Sequence, residues 1–353
     1  MTVSSVPRGV LEAVIADARR RARYRRLRNA AIVLLVVVLA AGLASQLTGH
    51  RTPPTAVAPS AVSSPIAHNG AIAILAGAKG PTAGWYGVSR IGTDGKLHPF
   101  IRCPRHANWC GEAESIAWTV RGDRLAISVT SFALPNPYNG LHVIDTRTHA
   151  DTQIRSCNDP PGECDWFDLA WSPDARTIAY VSSGNIVLVN ADGTHRRLLS
   201  SPAGRKSSPA WSPDGRSIAF SDEVDGVQSV YRADLDGSHL QLLARHATAP
   251  AWSRRGLIAY HTDCGVQLMR GDGTPVVPRT ASPCGAIGLP HLATPVWSPD
   301  GKQIAATLSR RIPDPTRGTY VMNADGTHVS RATPATLSVF IGGRPRVAWQ
   351  PVR

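Results

Sequence analysis

The sequence predicts an all-β fold, a six-bladed β-propeller with ring closure by the C-terminal strand, preceded by one transmembrane helix. Three observations lead there: a repeat of about 40 residues after residue 69, six tryptophans in one repeated position, and one uncharged apolar run near the N-terminus. The chain has 353 residues and is 42% hydrophobic, enough for a substantial core, and its 31 Gly and 28 Pro suit a protein full of turns.

The apolar run covers residues 30–47, and as a helix it reaches roughly 27 Å, close to the hydrocarbon thickness of a bilayer. Before it, residues 1–29 hold eight Arg against Glu12 and Asp17, so this segment carries +6 of the chain's +13. Arginines flanking a span stay on the cytoplasmic side. The expected protein is therefore single-pass in the cytoplasmic membrane, N-terminus inside and everything after residue 50 outside. A cleaved signal peptide, with Gly42-x-Ala44 as cleavage site, is the alternative and also puts the remainder outside. Four parts follow: a basic cytoplasmic segment 1–29, a transmembrane signal anchor 30–47, a linker 48–69 containing Pro53, Pro54, Pro59 and Pro65, and the propeller 70–353. The charge left for the propeller forms no Lys/Arg-rich stripe, so no nucleic-acid partner is expected.

The repeat is clearest in Pro209-Ala-Trp-Ser-Pro-Asp-Gly-Arg-Ser-Ile-Ala-Phe220, Pro295-Val-Trp-Ser-Pro-Asp-Gly-Lys-Gln-Ile-Ala-Ala306 and Leu169-Ala-Trp-Ser-Pro-Asp-Ala-Arg-Thr-Ile-Ala-Tyr180. Degenerate copies start at Ile116 and Pro250. A second element follows about twenty residues on, as in Asn190-Ala-Asp-Gly-Thr194, Asp234-Leu-Asp-Gly-Ser238, Arg270-Gly-Asp-Gly-Thr274 and Asn323-Ala-Asp-Gly-Thr327. Each unit reads as an apolar strand ending in Trp-Ser, a Pro-Asp-Gly turn, two further strands, an Asp-Gly turn and a closing strand. The turn reading also covers Asp234-x-Asp236-Gly237, which lacks the remaining ligands of a calcium loop. The first-strand tryptophans are Trp118, Trp171, Trp211, Trp252, Trp297 and Trp349. The last copy is a first strand alone, whereas residues 70–101 carry the other three strands and no Trp-Ser strand. Strand 347–351 is expected to complete that sheet, which removes the open edge.

With these motifs the chain resembles the TolB-type six-bladed β-propeller, whose WD40-like repeats follow the Trp-Ser-Pro-Asp-Gly…Asn-Ala-Asp-Gly-Thr pattern over roughly residues 70–353. The resemblance implies an extracytoplasmic propeller of a kind that often binds other proteins. It stops short of TolB's N-terminal α/β domain, in whose place stands the apolar segment.

In a meander, the turns joining strands one to two and three to four share a rim, and here they are short. The longer connections, among them 102–114, 131–140, 156–167 and 281–294, fall on the opposite rim, where binding is expected. Candidate contact residues there are Arg102, Arg105, Trp109, Phe132, Tyr138, Trp166 and Phe167, aromatic and Arg side chains being the usual interface anchors. All six cysteines lie in these connections, and an even number outside the cytoplasm suggests disulfides. The proposed pairs are Cys103–Cys110, Cys157–Cys164 and Cys264–Cys284; a zinc site is the alternative, although no Cys-x-x-Cys occurs. No nucleophile elbow, zinc-protease, phosphate-loop or dinucleotide motif is present. The expectation is a binding or sensor module without cofactor or metal, whose partner is a protein or an envelope polymer. A hydrolase- or lyase-type propeller enzyme with its site at the channel mouth is the alternative.

Overall fold

The computed structural model describes residues 72–77, 86–91, 97–101, 113–129, 139–156, 167–199, 204–278, 285–289, 292–308, 318–332, 340–341, 344–345 and 347–349. The chain divides into Met1–Val62 and Ser63–Arg353, and the described residues all lie in the second unit. The expected signal anchor at 30–47 is outside them. No helix occurs among the described residues.

Six four-stranded antiparallel sheets form the six blades. Blade 1 contains β1 (Ile72–Gly77), β2 (Tyr86–Ile91), β3 (Leu97–Ile101) and, out of sequence order, β26 (Val347–Trp349). Blade 2 is β4 (Ala113–Trp118), β5 (Arg124–Val129), β6 (Gly140–Asp145) and β7 (Asp151–Ser156). Blade 3 is β8 (Phe167–Trp171), β9 (Thr177–Ser182), β10 (Asn185–Asn190) and β11 (Arg197–Leu198). Blade 4 is β12 (Arg205–Trp211), β13 (Ser217–Val224), β14 (Val227–Asp234) and β15 (Gln241–Arg245). Blade 5 is β16 (Ala247–Trp252), β17 (Leu257–Thr262), β18 (Gly265–Arg270) and β19 (Pro275–Val276). Blade 6 is β20 (Leu292–Trp297), β21 (Gln303–Leu308), β22 (Gly318–Asn323) and β23 (Ser330–Arg331). A small hairpin, β24 (Phe340–Ile341) with β25 (Arg344–Pro345), stands between blade 6 and β26.

Ring closure is as the repeat count requires. β26 pairs antiparallel with β1 through Ile72↔Trp349, Ala73↔Ala348 and Ile74↔Val347. The strand completing the first sheet therefore follows the other blades in the sequence, and the β1 edge is paired.

The core is a set of layers between blades, and the strand period of two explains how each strand serves two of them. In β10, Val187 and Val189 pack with Leu141 and Val143 of blade 2. The alternate residues Ile186 and Leu188 pack with Trp211, Ile218 and Phe220 of blade 4. Equivalent layers join blades 1 and 2, 4 and 5, 5 and 6, and 6 and 1. Complete burial of such a side chain contributes about 1.5–3 kcal/mol, so near-continuous apolar runs such as Ile186-Val-Leu-Val189 bind a blade to both neighbours at once.

The turns are built as the motifs demand, with one refinement. In Ser172–Thr177 the Ser172 N–H bonds the Thr177 carbonyl at 2.8 Å and the Ala175 N–H bonds the Ser172 carbonyl at 2.9 Å, a four-residue loop. Its last-but-one position is left-handed, with φ 70° at Gly215 and φ 59° at the equivalent Ala175. The Asp-Gly turn is a three-residue loop, not a two-residue hairpin. Asn190 N–H bonds the Thr194 carbonyl at 2.9 Å, and Gly193, at φ 86°, supplies the left-handed bulge position.

Candidate functional site

The two turn families lie side by side, which fixes the short-turn rim. The Ala191 N–H donates to the Arg176 carbonyl, and the Ala324 N–H to the Lys302 carbonyl, both at 2.8 Å. Each turn is closed by its own side chains. Ser172 Oγ donates to Asp174 Oδ1 at 2.6 Å, Ser212 to Asp214 at 2.6 Å, and Ser298 to Asp300 at 2.7 Å. Asp192, Asp236 and Asp325 accept in the same way from Thr194, Ser238 and Thr327, each at 2.6 Å. These bonds to the charged form hold the carboxyls of Asp174, Asp192, Asp214, Asp236 and Asp325 below the usual carboxylate range. His195, His239 and His328 follow these turns with φ of 53°, 51° and 53°. Histidine is among the residues that tolerate that region, so the recurring histidine is explained by the backbone.

The inner strands meet around the ring axis. Each carries Ala before its tryptophan except β20, which carries Val296, and several carry proline one position earlier (Pro209, Pro250, Pro295), which an inner edge strand accepts because no ladder partner needs its missing N–H. Just before these positions Asp168, Ser208, Ala249 and Thr294 take φ of 53°, 52°, 50° and 48°, at the register shifts of β8, β12, β16 and β20. Neighbouring blades satisfy these bulges: Ser208 N–H donates to Asp168 Oδ2, and Ala249 N–H to Ser221 Oγ, both at 2.9 Å.

The tryptophans knit the inner ring together. Trp171 Nε1 donates to the Ala117 carbonyl at 3.1 Å, Trp211 Nε1 to that of Ala170 at 3.1 Å, and Trp297 Nε1 to that of Ala251 at 2.9 Å. Each bond reaches the residue preceding the tryptophan of the previous blade. The buried indole nitrogens of Trp118, Trp252 and Trp349 have no such partner. Trp252 differs for a legible reason. Gly271 stands where other blades carry Ala191, Leu235 and Ala324, and a Cβ there would come 2.6 Å from Trp252 Cζ2. The ring occupies that space instead, with the Arg232 guanidinium 5.9 Å from its centroid.

Around the axis lies a cavity of about 520 Å³ lined from all six blades, including all six repeat tryptophans. It reaches the short-turn rim, where Val120, Pro173, Pro213, Arg254 and Pro299 line it. Its lining side chains are otherwise apolar apart from the hydroxyls of Thr119, Ser253 and Ser298, with backbone polar groups between them, and Arg254 is the one titratable side chain lining it among the described residues. The wall therefore suits holding a ligand better than acid–base chemistry.

The residues singled out from the sequence on the long-loop rim are placed only in part. Arg102, Arg105, Trp109, Phe132, Tyr138 and Trp166 lie outside the described residues, as do Cys103, Cys110, Cys157, Cys164 and Cys284. Phe167 opens β8 and pairs with Val181. Cys264 sits in the turn between β17 and β18 and is disulfide-bonded, with its partner outside the described residues. No cluster of metal-ligating side chains occurs among the described residues. Sequence reading missed the cavity mouth and Arg254. The signal was present: the copy starting at Pro250 replaces Pro-Asp-Gly by Arg254-Arg255-Gly256 and is one residue shorter.

No family model and no curated protein matches the chain. Among solved structures it is similar to TolB from Acinetobacter baumannii, with a TM-score of 0.58 and 18% identity over 80% of this chain and 67% of that one. It is also similar to a protein described as TolB from Agrobacterium tumefaciens, with a TM-score of 0.52 and 17% identity over 74% of this chain and 87% of that one. A chain of the nidogen/laminin complex gives a TM-score of 0.55 and 12% identity over 79% of this chain and 96% of that one. At these identities the shared property is the propeller fold, here with six blades closed by the C-terminal strand.

Proposed function

We propose that this chain is a membrane-tethered, extracytoplasmic binding module that recognises a protein or a cell-envelope polymer on its long-loop rim, and that it works by binding, not by catalysis. One observation carries the reading: the two rims are built differently. On the short-turn rim the repeated loops bond to themselves through Ser–Asp and Thr–Asp pairs. Their polar groups are satisfied, and the shape repeats from blade to blade. The longer connections depart from the opposite rim, where aromatic and Arg side chains concentrate in the sequence. A rigid ring presenting one variable face is a scaffold suited to recognition. The basic flank and apolar run at 1–47 support a tether that holds this ring outside the cytoplasmic membrane. The cysteines support the pairs Cys103–Cys110, Cys157–Cys164 and Cys264–Cys284, which would stiffen that face.

The test is crosslinking in native membranes, followed by purification of the full chain and of a Trp109→Ala/Tyr138→Ala/Trp166→Ala variant, with mass spectrometry of what accompanies each. A partner held by the unchanged chain and lost from the variant is the expected result. A partner retained by both moves recognition to another surface, and no partner with either removes the proposal.

A further inference from the structure

The repeat departs from the proline of Pro-Asp-Gly at two points of the cavity mouth, and only at blade 5 does the departure place a charge on it. After the serine of the first turn, blades 3, 4 and 6 carry Pro173, Pro213 and Pro299, and blade 2 carries Val120 after Thr119. Blade 5 carries Arg254 in a turn one residue shorter, where the Ser253 N–H bonds the Leu257 carbonyl at 2.7 Å. Arg254 is exposed and has no hydrogen-bond or ion-pair partner among the described residues. Its neighbour Arg255 is engaged, with Nε donating to the Asp300 carbonyl at 2.9 Å.

The hydroxyls of the wall each have a hydrogen-bond partner. Thr119 Oγ1 donates to Asp123 at 2.5 Å, Ser298 Oγ donates to Asp300 at 2.7 Å, and Ser253 Oγ accepts from the Leu257 N–H at 3.0 Å. Among the described residues, what remains unpaired on wall side chains is one guanidinium and the indole N–H groups of Trp118, Trp252 and Trp349. The indole nitrogens are buried, so the guanidinium is the free donor that reaches the cavity of about 520 Å³, within the roughly 300–1,000 Å³ of small-molecule sites.

We propose that the cavity mouth binds an amphiphilic anion, whose carboxylate or phosphate is held by Arg254 and whose apolar body lies among the tryptophans and prolines below. Guanidinium matches either anion with paired hydrogen bonds, and the wall offers an apolar body the contact that water cannot. This site is on the rim opposite the proposed partner face, so the two stand or fall separately.

The test uses the full chain in lipid nanodiscs and its own fluorescence, since six of its nine tryptophans line the cavity. Octanoate and octyl phosphate are titrated beside octanol, octyltrimethylammonium and inorganic phosphate. Both octyl anions should saturate the signal with a Kd at least tenfold below that of octanol, and added NaCl should weaken them and not octanol. Arg254→Gln should raise the Kd of the anions tenfold or more and leave octanol unchanged, whereas Arg216→Gln, on the same rim outside the cavity, should change nothing. Octanol or the cation binding as tightly as octanoate overturns the proposal. So does inorganic phosphate binding as tightly as octyl phosphate, unchanged binding in Arg254→Gln, or no saturable binding at all.

Discussion

Shaving the indole to a phenyl tests whether the inner ring is held by the bonds that join blade to blade. Trp171, Trp211 and Trp297 each donate to a carbonyl of the preceding blade, and Trp118 and Trp349 have no partner for the same atom. A change to Phe shrinks the ring equally in all five. In the first group it also removes a hydrogen bond with a net worth of about 0.5–1.5 kcal/mol and leaves a carbonyl short of its donor. In the second group it removes a buried, unpaired N–H, which is itself unfavourable by about 1–3 kcal/mol. The first group should therefore lose about 2 kcal/mol more than the second. Urea unfolding followed by circular dichroism reads this difference directly, because the common loss of ring size cancels between groups. Equal losses in both groups, or larger losses at Trp118 and Trp349, would refute the view that these bonds stabilise the ring.

Other outcomes follow from single sites. Gly226 has φ 77° and open space where a Cβ would sit, so Gly226→Ala should cost about 1 kcal/mol from backbone conformation alone; no change in the urea midpoint would contradict this. Lys206 and Asp222 face each other across β12 and β13 at 3.6 Å, only 3% and 6% exposed. Burial raises the Asp222 carboxyl while Lys206 opposes the shift. Lys206→Met should cost about 3–5 kcal/mol, and Lys206→Met/Asp222→Leu should recover most of it; equal melting of the two variants would count against a stranded carboxylate as the cause. The Ser-bonded carboxyls of Asp174 and Asp214 have folded pKa values below their unfolded ones. Their contribution is complete above about pH 4 and is lost as pH falls through the folded values. The melting temperature should fall on acidification below pH 4, and less steeply in Ser172→Ala/Ser212→Ala; identical slopes would remove these pairs from the account.

The repeat makes the architecture legible in the amino-acid sequence. Six tryptophans in register gave the number of blades, and the two incomplete units, residues 70–101 and 347–351, could only complete each other, as the Ile72↔Trp349 pairing shows. Turn chemistry was legible to within one residue, since Asp-Gly suits both a two-residue hairpin and the three-residue loop found around Asp192. The site was less legible because it depends on departures from the repeat. Gly271 looks like an ordinary turn residue until Trp252 is seen in the space beside it. Arg254 looks like one more surface charge until the inner strands converge on its turn. The Lys206–Asp222 pair is invisible in sequence for a related reason: the two residues are brought together only by the register of β12 and β13, and each alone reads as solvated.

The pairing of β26 with β1 also gives the ring a seam. The strand that completes the first sheet follows all the other blades in the sequence, so a growing chain presents the β1 edge bare until residue 349 has emerged. Folding of this ring is in that sense a single late event, whatever the earlier blades have done. The seam has mechanical meaning too. A load applied at Ile72 meets one pairing with Trp349 of β26 and one with Ile91 of β2. β1 is held by three register pairs on the β26 side and six on the β2 side, so within the first sheet the seam is its shorter join, the place where a clasp would part.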